Sequence, residues 1–286
     1  MPPDPNTRIP KFKAPANSCD AHCHVFGPSA EFPYHPTSTY EPPDTSKFKL
    51  RDLHNKIGID RAVIVQASCH GPDNRAMMDA LAWSNGKWRG VCIANDTFSD
   101  AEFQVLHNGG VRGVRFNFVA HLGGAPDLNI MRNVVNRVKP LGWHLVIHVN
   151  AEDIIQYESF FNEFEGLPII VDHMGRVPTH LGVEQPAFQI LLEFMQRDNW
   201  WVKVCGSERI STAGPPFYDA IPYAQALIKA APDRVLWGTD FPHPNIKKYM
   251  PNDGDLLDLV PLFTDDPVQQ RKLLVDNPAR LYGFED

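Results

Sequence analysis

The chain has 286 residues, of which 43% are hydrophobic and 21% are charged, a composition typical of a globular protein with a large buried core. Its net charge of −7 argues against nucleic-acid binding, which usually needs a basic excess or a basic stripe. The five cysteines are scattered, and no segment is apolar enough to be a secretory signal or to cross a bilayer. We therefore predict reduced thiols, a cytoplasmic location and no membrane association.

The first 18 residues are rich in proline and predict an extended arm, after which residues 19–286 predict a single domain. Eight short runs rich in β-branched residues predict strands, namely Cys19–Phe26, Arg61–Ala67, Gly90–Ala94, Val111–Phe118, Trp143–Val149, Leu167–Asp172, Trp200–Val204 and Arg234–Gly238. Helical patterns follow most of them, at Asn74–Ser84, Ala101–His107, Asn129–Val138, Ile154–Phe164, Ala187–Gln196, Tyr223–Ala230 and Pro267–Val275. This alternation predicts parallel strands in an α/β fold, and eight of them favour a closed (β/α)8 TIM-like barrel over a doubly wound sheet.

The end of the first predicted strand excludes two common classes of nucleotide-binding protein. The strand is followed by DAHCHVFGP, whereas a dinucleotide-binding domain would have GxGxxG at this point. The chain also contains no GxxxxGK[ST] phosphate-binding loop and no GxSxG nucleophile elbow. A bound nucleotide and a serine nucleophile are therefore not expected.

Most of the chemically versatile side chains follow the carboxyl ends of the predicted strands. These are His22 and His24, Ser68 and His70, Arg115 and Asn117, His148, His173, Arg209, and Asp240. Because the active sites of parallel barrels form at this end of the strands, we expect these side chains to surround one site.

Histidines and an aspartate form the first group of candidates. His22 and His24 are two residues apart, so on a strand they face the same way and can bind a metal or stabilise an oxyanion. The alternative is that one of these two histidines is a buried core residue and the other is an incidental neighbour. His173 follows an apolar run in the same manner, and Asp240 is interpreted as a general base or metal ligand rather than a helix cap. His148 fits either the site or the core.

Arginines form the second group. Arg115, Arg176 and Arg209 lie at predicted rim positions, where guanidinium groups match the geometry of carboxylates. Surface ion pairs are the alternative for each of them. Side chains that can complete the hydrogen bonding of a polyanionic small molecule are Tyr40, Ser68, His70 and Asn117.

Several segments together resemble the amidohydrolase superfamily, and within it the lactone-hydrolysing group that includes the 2-pyrone-4,6-dicarboxylate hydrolases. They are DAHCHVFGP, VIVQASCHGPDN, GVRGVRFNF, VDHMGR, AGPP, WGTDFPHPN and NPARLYGF, and they extend over nearly the whole chain. The resemblance implies ring opening of a small anionic lactone in the bacterial degradation of aromatic acids. It implies that His22, His24 and His173 polarise the lactone carbonyl, and that Asp240 takes a proton from the attacking water.

Two departures from the pattern of that group bear on metal and substrate. The 2-pyrone-4,6-dicarboxylate hydrolases tend to have a tyrosine in place of His148, and an arginine in place of His121, which is therefore a candidate for substrate binding. His148 restores the strand-five histidine that metal-dependent members use as a ligand. A single Zn²⁺ would then be held by a set drawn from His22, His24, His148, His173 and Asp240. The resemblance implies no metal in the pyrone enzymes and zinc in the related 4-sulfomuconolactone hydrolases, and this chain fits either group.

Two other interpretations stay open at the level of the sequence. A metal-dependent decarboxylase or hydratase of the same superfamily would share the histidines and the aspartate. A non-catalytic barrel that binds an aromatic acid would need the arginines but no general base. The predicted partner of the lactone hydrolase is a small anionic lactone. The sequence leaves open whether the chain forms a homo-oligomer.

Overall fold

The computed structural model describes residues 1–285 and confirms the (β/α)8 barrel. Eight parallel strands pair with one another in chain order. They are β1 (Cys19–Cys23), β2 (Arg61–Val65), β3 (Trp88–Cys92), β4 (Val111–Asn117), β5 (His144–His148), β6 (Ile169–Val171), β7 (Trp200–Lys203) and β8 (Val235–Leu236). Backbone hydrogen bonds from the Ala21 N–H to the Trp237 carbonyl, at 2.8 Å, and from the Asp240 N–H to the His22 carbonyl, at 2.7 Å, join the two ends of the sheet.

Helices cover the outside of the barrel. The α-helices are α1 (Lys47–Ile57), α2 (Arg75–Trp83), α3 (Asp100–Asn108), α4 (Leu128–Val138), α5 (Ala151–Phe161), α6 (Pro186–Phe194), α7 (Ser207–Ile210), α8 (Ile221–Ala230), α9 (Asp253–Leu257), α10 (Val260–Phe263), α11 (Pro267–Arg271) and α12 (Asn277–Tyr282). Helix α1 was not predicted from the sequence, because the segment KFKLRDLHNKI is strongly charged and only a narrow stripe with Leu50, Leu53 and Ile57 is buried. The short helices α7, α9, α10 and α12 were not predicted either, because they are too brief to show a helical period.

The interior of the barrel changes from apolar to polar along its axis. Alternate strand residues such as Val63, Val146 and Ile170 pack together inside it, and Tyr282 and Phe284 from the end of the chain pack against this layer. Further along the same inward faces stand buried polar residues, including His22, Arg115, His148, Asp172 and Lys203. The apolar layer therefore closes one end, and the polar side chains collect at the carboxyl ends of the strands.

Residues 1–18 contain no helix and no strand and lie along the body of the protein. The backbone N–H of Arg8 donates to Asn252 Oδ1 at 2.9 Å, and that of Phe12 donates to Asp258 Oδ1 at 2.8 Å. The division of the chain at residue 18 stays a prediction.

All five cysteines are buried and unpaired. None of the helices formed by residues 1–285 is both long enough and apolar enough to cross a membrane.

Candidate active site

A small cavity opens at the carboxyl ends of the strands. Ten of the predicted residues line it, namely His24, Tyr40, Ser68, Arg115, His121, His148, His173, Arg176, Arg209 and Asp240. The remaining lining residues are Ala67, Leu122, Pro244 and Asn245. The structure therefore brings the histidine group and the arginine group together in one place. His22, His70 and Asn117 lie beneath or beside the cavity.

Asp240 stands at the centre of the histidine group. Its Oδ1 atom lies 3.2 Å from His24 Nε2, 3.6 Å from His22 Nε2 and 3.9 Å from His173 Nε2. The residue follows β8 in the left-handed region, at a φ of 63°, and only a few residue types tolerate this conformation. Three imidazole rings from β1 and the end of β6 therefore converge on one carboxylate oxygen.

The other oxygen of Asp240 is held by Arg209 of α7. Arg209 Nε donates to Oδ2 at 2.7 Å, and a terminal nitrogen of the same guanidinium lies 2.6 Å from Oδ2. Burial alone would raise the pKa of Asp240, but Arg209 and the neighbouring imidazoles lower it well below its usual range. Asp240 is therefore ionised at neutral pH. Arg209, predicted to bind substrate, has much of its donor capacity committed to Asp240 and to the Pro244 carbonyl.

A glycine allows α7 to approach the histidine group. Gly206 precedes α7 with a φ of 77°, and a Cβ atom there would stand 2.8 Å from Cβ and from Nδ1 of His173. A side chain at this position would therefore be strained and would displace His173. This close approach places Arg209 beside Asp240.

His24 is oriented by a backbone carbonyl. Its Nδ1 lies 2.7 Å from the Val65 carbonyl oxygen, which can only accept, so Nδ1 carries a proton. Its Nε2 lies 3.2 Å from Asp240 Oδ1. The Val65 carbonyl thus orients the ring so that Nε2 points toward Asp240.

Asp172, Lys203 and Arg115 lie under the histidines in a fully buried network. Lys203 Nζ is 3.0 Å from Asp172 Oδ1 and 3.0 Å from His22 Nδ1, and Arg115 Nε donates to Asp172 Oδ2 at 2.8 Å. Burial would raise the pKa of Asp172, but Lys203, His22 and Arg115 lower it well below its usual range. Burial and the Lys203 ammonium likewise lower the pKa of His22. The network holds ionised groups around a neutral imidazole.

Asp172 and Lys203 were not predicted from the sequence, although each has a signal there. Lys203 is the one charged residue in the apolar run WWVKV, on the inward face of β7. Asp172 directly precedes His173 at the end of β6. A charge on the buried inward face of a strand needs a partner, and at the carboxyl end of a strand this partner must lie inside the mouth of the barrel.

His148 is held with one nitrogen toward the cavity. Its Nδ1 lies 2.8 Å from Asn117 Oδ1, and the Asn117 amide donates to Ser68 Oγ at 3.1 Å. The His148 Nδ1 therefore donates, and its Nε2 has no hydrogen-bond partner within residues 1–285. Burial, with Arg115 and His173 nearby, lowers the pKa of His148 well below its ordinary value, so the ring is neutral.

Two arginines present free guanidinium ends to the cavity. Each is anchored through Nε, Arg115 on Asp172 and Arg176 on Asn150 Oδ1 at 2.9 Å. The terminal nitrogens of both make no hydrogen bond to the part of the chain that the structure describes. Burial, with Arg209 nearby, lowers the pKa of Arg176 to about 10, which still leaves it charged at neutral pH. The cavity thus contains two forks that each match a carboxylate.

Three further predicted residues belong to the surrounding loops. His70 lies outside the cavity lining, where its Nε2 accepts from the Gly27 N–H at 3.3 Å. Tyr40 and His121 lie on two loops that are joined by a hydrogen bond from Thr39 Oγ1 to the His121 carbonyl, at 3.0 Å. Burial, with Arg176 and Arg209 nearby, lowers the pKa of His121, so this side chain is uncharged at neutral pH.

Buried ligand atoms in this region are close enough together to hold a metal ion. The groups with donor atoms within 4.8 Å of one another are His22, His24 and Asp240; His22, Asp172 and His173; Glu208, Asp240 and His243; and Asp20, Cys23 and His54. In the first of these groups, His22 already contacts Lys203, and Asp240 already contacts Arg209.

A family model described as amidohydrolase matches residues 19–284. The chain is 47% identical to a 2-pyrone-4,6-dicarboxylate hydrolase of Comamonas testosteroni, over 98% of this chain and 95% of the relative. It is 40% identical to a 4-sulfomuconolactone hydrolase of Rhizobium radiobacter, over 95% and 92% of the two chains. A solved structure from Acinetobacter baumannii, of a probable 2-pyrone-4,6-dicarboxylic acid hydrolase with citric acid bound, superimposes with a TM-score of 0.81 at 26% identity, covering 94% of this chain and all of the other.

Proposed function

The chain belongs to the amidohydrolase family, and on that premise we propose that it hydrolyses a small lactone with two carboxylates, such as 2-pyrone-4,6-dicarboxylate, to the open-chain acid. One observation carries the proposal. An ionised Asp240 surrounded by three imidazoles shares a single cavity with the free guanidinium ends of Arg115 and Arg176. Water activation and recognition of two anionic groups are thereby combined in one site.

Recognition rests on Arg115 and Arg176. Each guanidinium is fixed through its Nε atom, so its two terminal nitrogens are already oriented when a ligand enters. A planar carboxylate pairs with such a fork through two parallel hydrogen bonds. The related Acinetobacter baumannii structure contains citric acid, a polycarboxylate, which agrees with a pocket of this kind.

The chemistry rests on Asp240 and the imidazoles. Asp240 takes a proton from a water molecule as the water oxygen bonds to the lactone carbonyl carbon. N–H groups of the imidazoles stabilise the negative charge that develops on the carbonyl oxygen. When the tetrahedral intermediate collapses, the bond from this carbon to the ring oxygen breaks. The proton held by Asp240 then passes to the departing oxygen.

We propose that this hydrolysis proceeds without a resident metal ion. Lys203 donates to His22 Nδ1 and Arg209 donates to Asp240 Oδ2, so two of the three residues whose donor atoms converge are each already paired with a cation through their other polar atom. Three arginines and only one carboxylate line the cavity among the described residues. Positive charge of this density opposes the binding of a divalent cation and favours an anionic substrate.

A 4-sulfomuconolactone is the second candidate substrate, and His121 is the observation that favours it. The neutral His121 stands at the cavity, at the position where the resemblance implies an additional arginine in the pyrone enzymes. Without that arginine, one contact to a carboxylate of the pyrone substrate is weakened. The 40% identity to a relative that acts on 4-sulfomuconolactone agrees with this alternative.

The test is a steady-state assay of purified protein with both lactones, before and after dialysis against a chelator, with elemental analysis of each sample. We expect ring opening of the pyrone dicarboxylate with a higher kcat/KM, and no loss of activity in metal-free protein. Loss of activity on chelation, restored by zinc, would contradict the metal-free proposal. Release of carbon dioxide, addition of water to a double bond, or binding without turnover would contradict hydrolysis altogether.

A further inference from the structure

We propose that Lys203 is a positioning residue that keeps the single proton of the His22 imidazole on Nε2. His22 then acts as an N–H donor directed at the reacting centre beside Asp240 instead of as a ligand for a metal. The inference deepens the proposed hydrolysis and depends on it for its kinetic consequence, whereas the position of the proton can be measured without any substrate.

The contact between Lys203 and His22 carries the proposal. Nζ of Lys203 lies 3.0 Å from His22 Nδ1 and 3.0 Å from Asp172 Oδ1, and all three side chains are fully buried. An ammonium group has three donors and no acceptor, so the facing nitrogen of His22 must accept. A proton on Nδ1 would place two donors against each other.

Asp172 shows what His22 would do without the lysine. Its Oδ1 atom lies 3.2 Å from His22 Nδ1, close enough to accept a hydrogen bond from a proton on that nitrogen. Histidines that bind metals usually donate their other nitrogen to a carboxylate in this way, and the metal then takes the lone pair on the opposite side. Asp172 and His22 could thus form such a pair. Lys203 opposes it, because its ammonium group donates to His22 Nδ1.

The opposite nitrogen of His22 faces the reacting centre. Nε2 has no hydrogen-bond partner among residues 1–285 and lies 3.6 Å from Asp240 Oδ1. A proton on this atom provides a preoriented donor for the negative charge that develops on the lactone carbonyl oxygen. The same proton removes the lone pair that would bind a metal. The buried ammonium group of Lys203 therefore determines whether His22 acts as a hydrogen-bond donor or as a metal ligand.

The first test measures the proton directly in the wild-type protein. Nitrogen-15 NMR of histidine-labelled protein distinguishes protonated from unprotonated ring nitrogens, and the His22 signals are assigned through the ring carbons and by their loss in His22→Gln. We expect an unprotonated Nδ1 and a protonated Nε2 at neutral pH. A protonated Nδ1 in the wild-type protein would overturn the proposal.

The second test removes the ammonium and measures the affinity for Co²⁺, by calorimetry and by the visible absorption of the bound ion. In Lys203→Met the proton of His22 is free to move to Nδ1, opposite Asp172. We expect Co²⁺ to bind about 10–100-fold more tightly than to the wild-type protein, the range by which such outer partners alter metal affinity. Lys229→Met, which removes an exposed lysine of α8, is the matched control and should leave the affinity unchanged.

A folded Lys203→Met protein with unaltered Co²⁺ affinity would count against the proposal. If this variant fails to fold, the NMR measurement on the wild-type protein decides alone. The kinetic consequence is a fall in kcat of about 10²–10³-fold, the typical cost of one oxyanion donor, with a much smaller change in KM. If neither lactone is hydrolysed by wild-type protein, the proposed function fails, while the NMR and Co²⁺ results still determine the role of Lys203.

Discussion

The floor and the rim of the cavity hold their charged groups in different ways. The floor consists of His22, Asp172 and Lys203, whose side chains come from or directly follow strands, are fully buried and contact one another. The rim includes His121 and Arg176, which lie on loops and have few hydrogen bonds to the protein. The contacts within the floor therefore fix the positions and the protonation of its side chains, whereas the side chains of the rim keep donors free for a ligand. We expect changes around the floor to alter kcat, and changes at the rim to alter KM and substrate choice.

Removal of the charge on Asp240, which stands above the floor, should have the largest effect. Asp240→Asn keeps the shape of the side chain but cannot take a proton from water. Because a positioned general base contributes about 10²–10⁴-fold, we expect kcat to fall within that range. KM should change much less. Steady-state kinetics with the preferred lactone provide the measurement.

Asp198→Asn is the control for this substitution, because the Asp198 side chain is fully exposed and precedes the amino end of β7, at the opposite end of the strand from the cavity. It makes the same chemical change and should leave both constants as they are. Ring opening by Asp240→Asn at a rate near that of the wild-type protein would contradict the role of the carboxylate.

The sequence predicted the rim of the barrel well because the rule behind that prediction is topological. Parallel strands in a closed barrel bring their carboxyl ends together, so the position of His24, His148 and Asp240 along the chain was enough to place them in one cavity. Periodicity failed for α1, whose charged sequence hides a narrow buried stripe. The prediction of the barrel did not depend on that helix.

The pairing of charges could not be predicted in the same way. Arg209 was expected to bind substrate, but its approach to Asp240 depends on the bend at Gly206, which only the folded backbone shows. Lys203 was missed because a strand run with one lysine does not reveal which groups face it across the barrel. Pairing depends on distances between elements that are remote in the sequence, whereas rim position depends only on order along the chain.

Loss of one guanidinium fork at the rim should have the next largest effect. Arg176→Met removes a charged partner of the substrate while keeping an apolar stem of similar length. Hydrogen bonds to charged groups contribute about 1.5–3 kcal/mol, so we expect KM to rise roughly 10–100-fold with kcat changed little. Arg75→Met, at an exposed arginine that pairs with Asp73, is the matched control. A fall in kcat with unchanged KM would place Arg176 in the chemistry and remove the contrast between floor and rim.

The pH dependence of kcat/KM tests the groups above the floor. Asp240 must be ionised and His173 neutral, and the two pKa values are lowered, well below the usual range for Asp240 by Arg209 and to about 4 for His173 by burial. A group with a lowered pKa keeps its basic form until the pH falls through that lower value. We therefore expect kcat/KM to stay flat from pH 8 to about pH 5 and to decline below it.

Arg209→Met should shift the acidic limb of the pH profile, which is the decline of kcat/KM at low pH. Without the guanidinium, burial dominates and raises the pKa of Asp240, so the limb should shift upward by about 1–3 pH units. The profile is measured from kcat/KM over the range in which circular dichroism shows folded protein. An acidic limb that stays in place in Arg209→Met would show that Asp240 does not control it.

The smallest effect is expected from the addition of a charge at the rim. His121→Arg restores the arginine that the resemblance implies in the pyrone enzymes, at an exposed position beside the cavity. Exposed ion pairs contribute little, about 0.2–1 kcal/mol, so KM for 2-pyrone-4,6-dicarboxylate should fall by at most about fivefold with kcat unchanged. His180→Arg, at an exposed loop histidine outside the cavity lining, is the control. Because the new side chain does not reach the floor, a changed kcat or a shifted pH profile would show that the two regions are coupled.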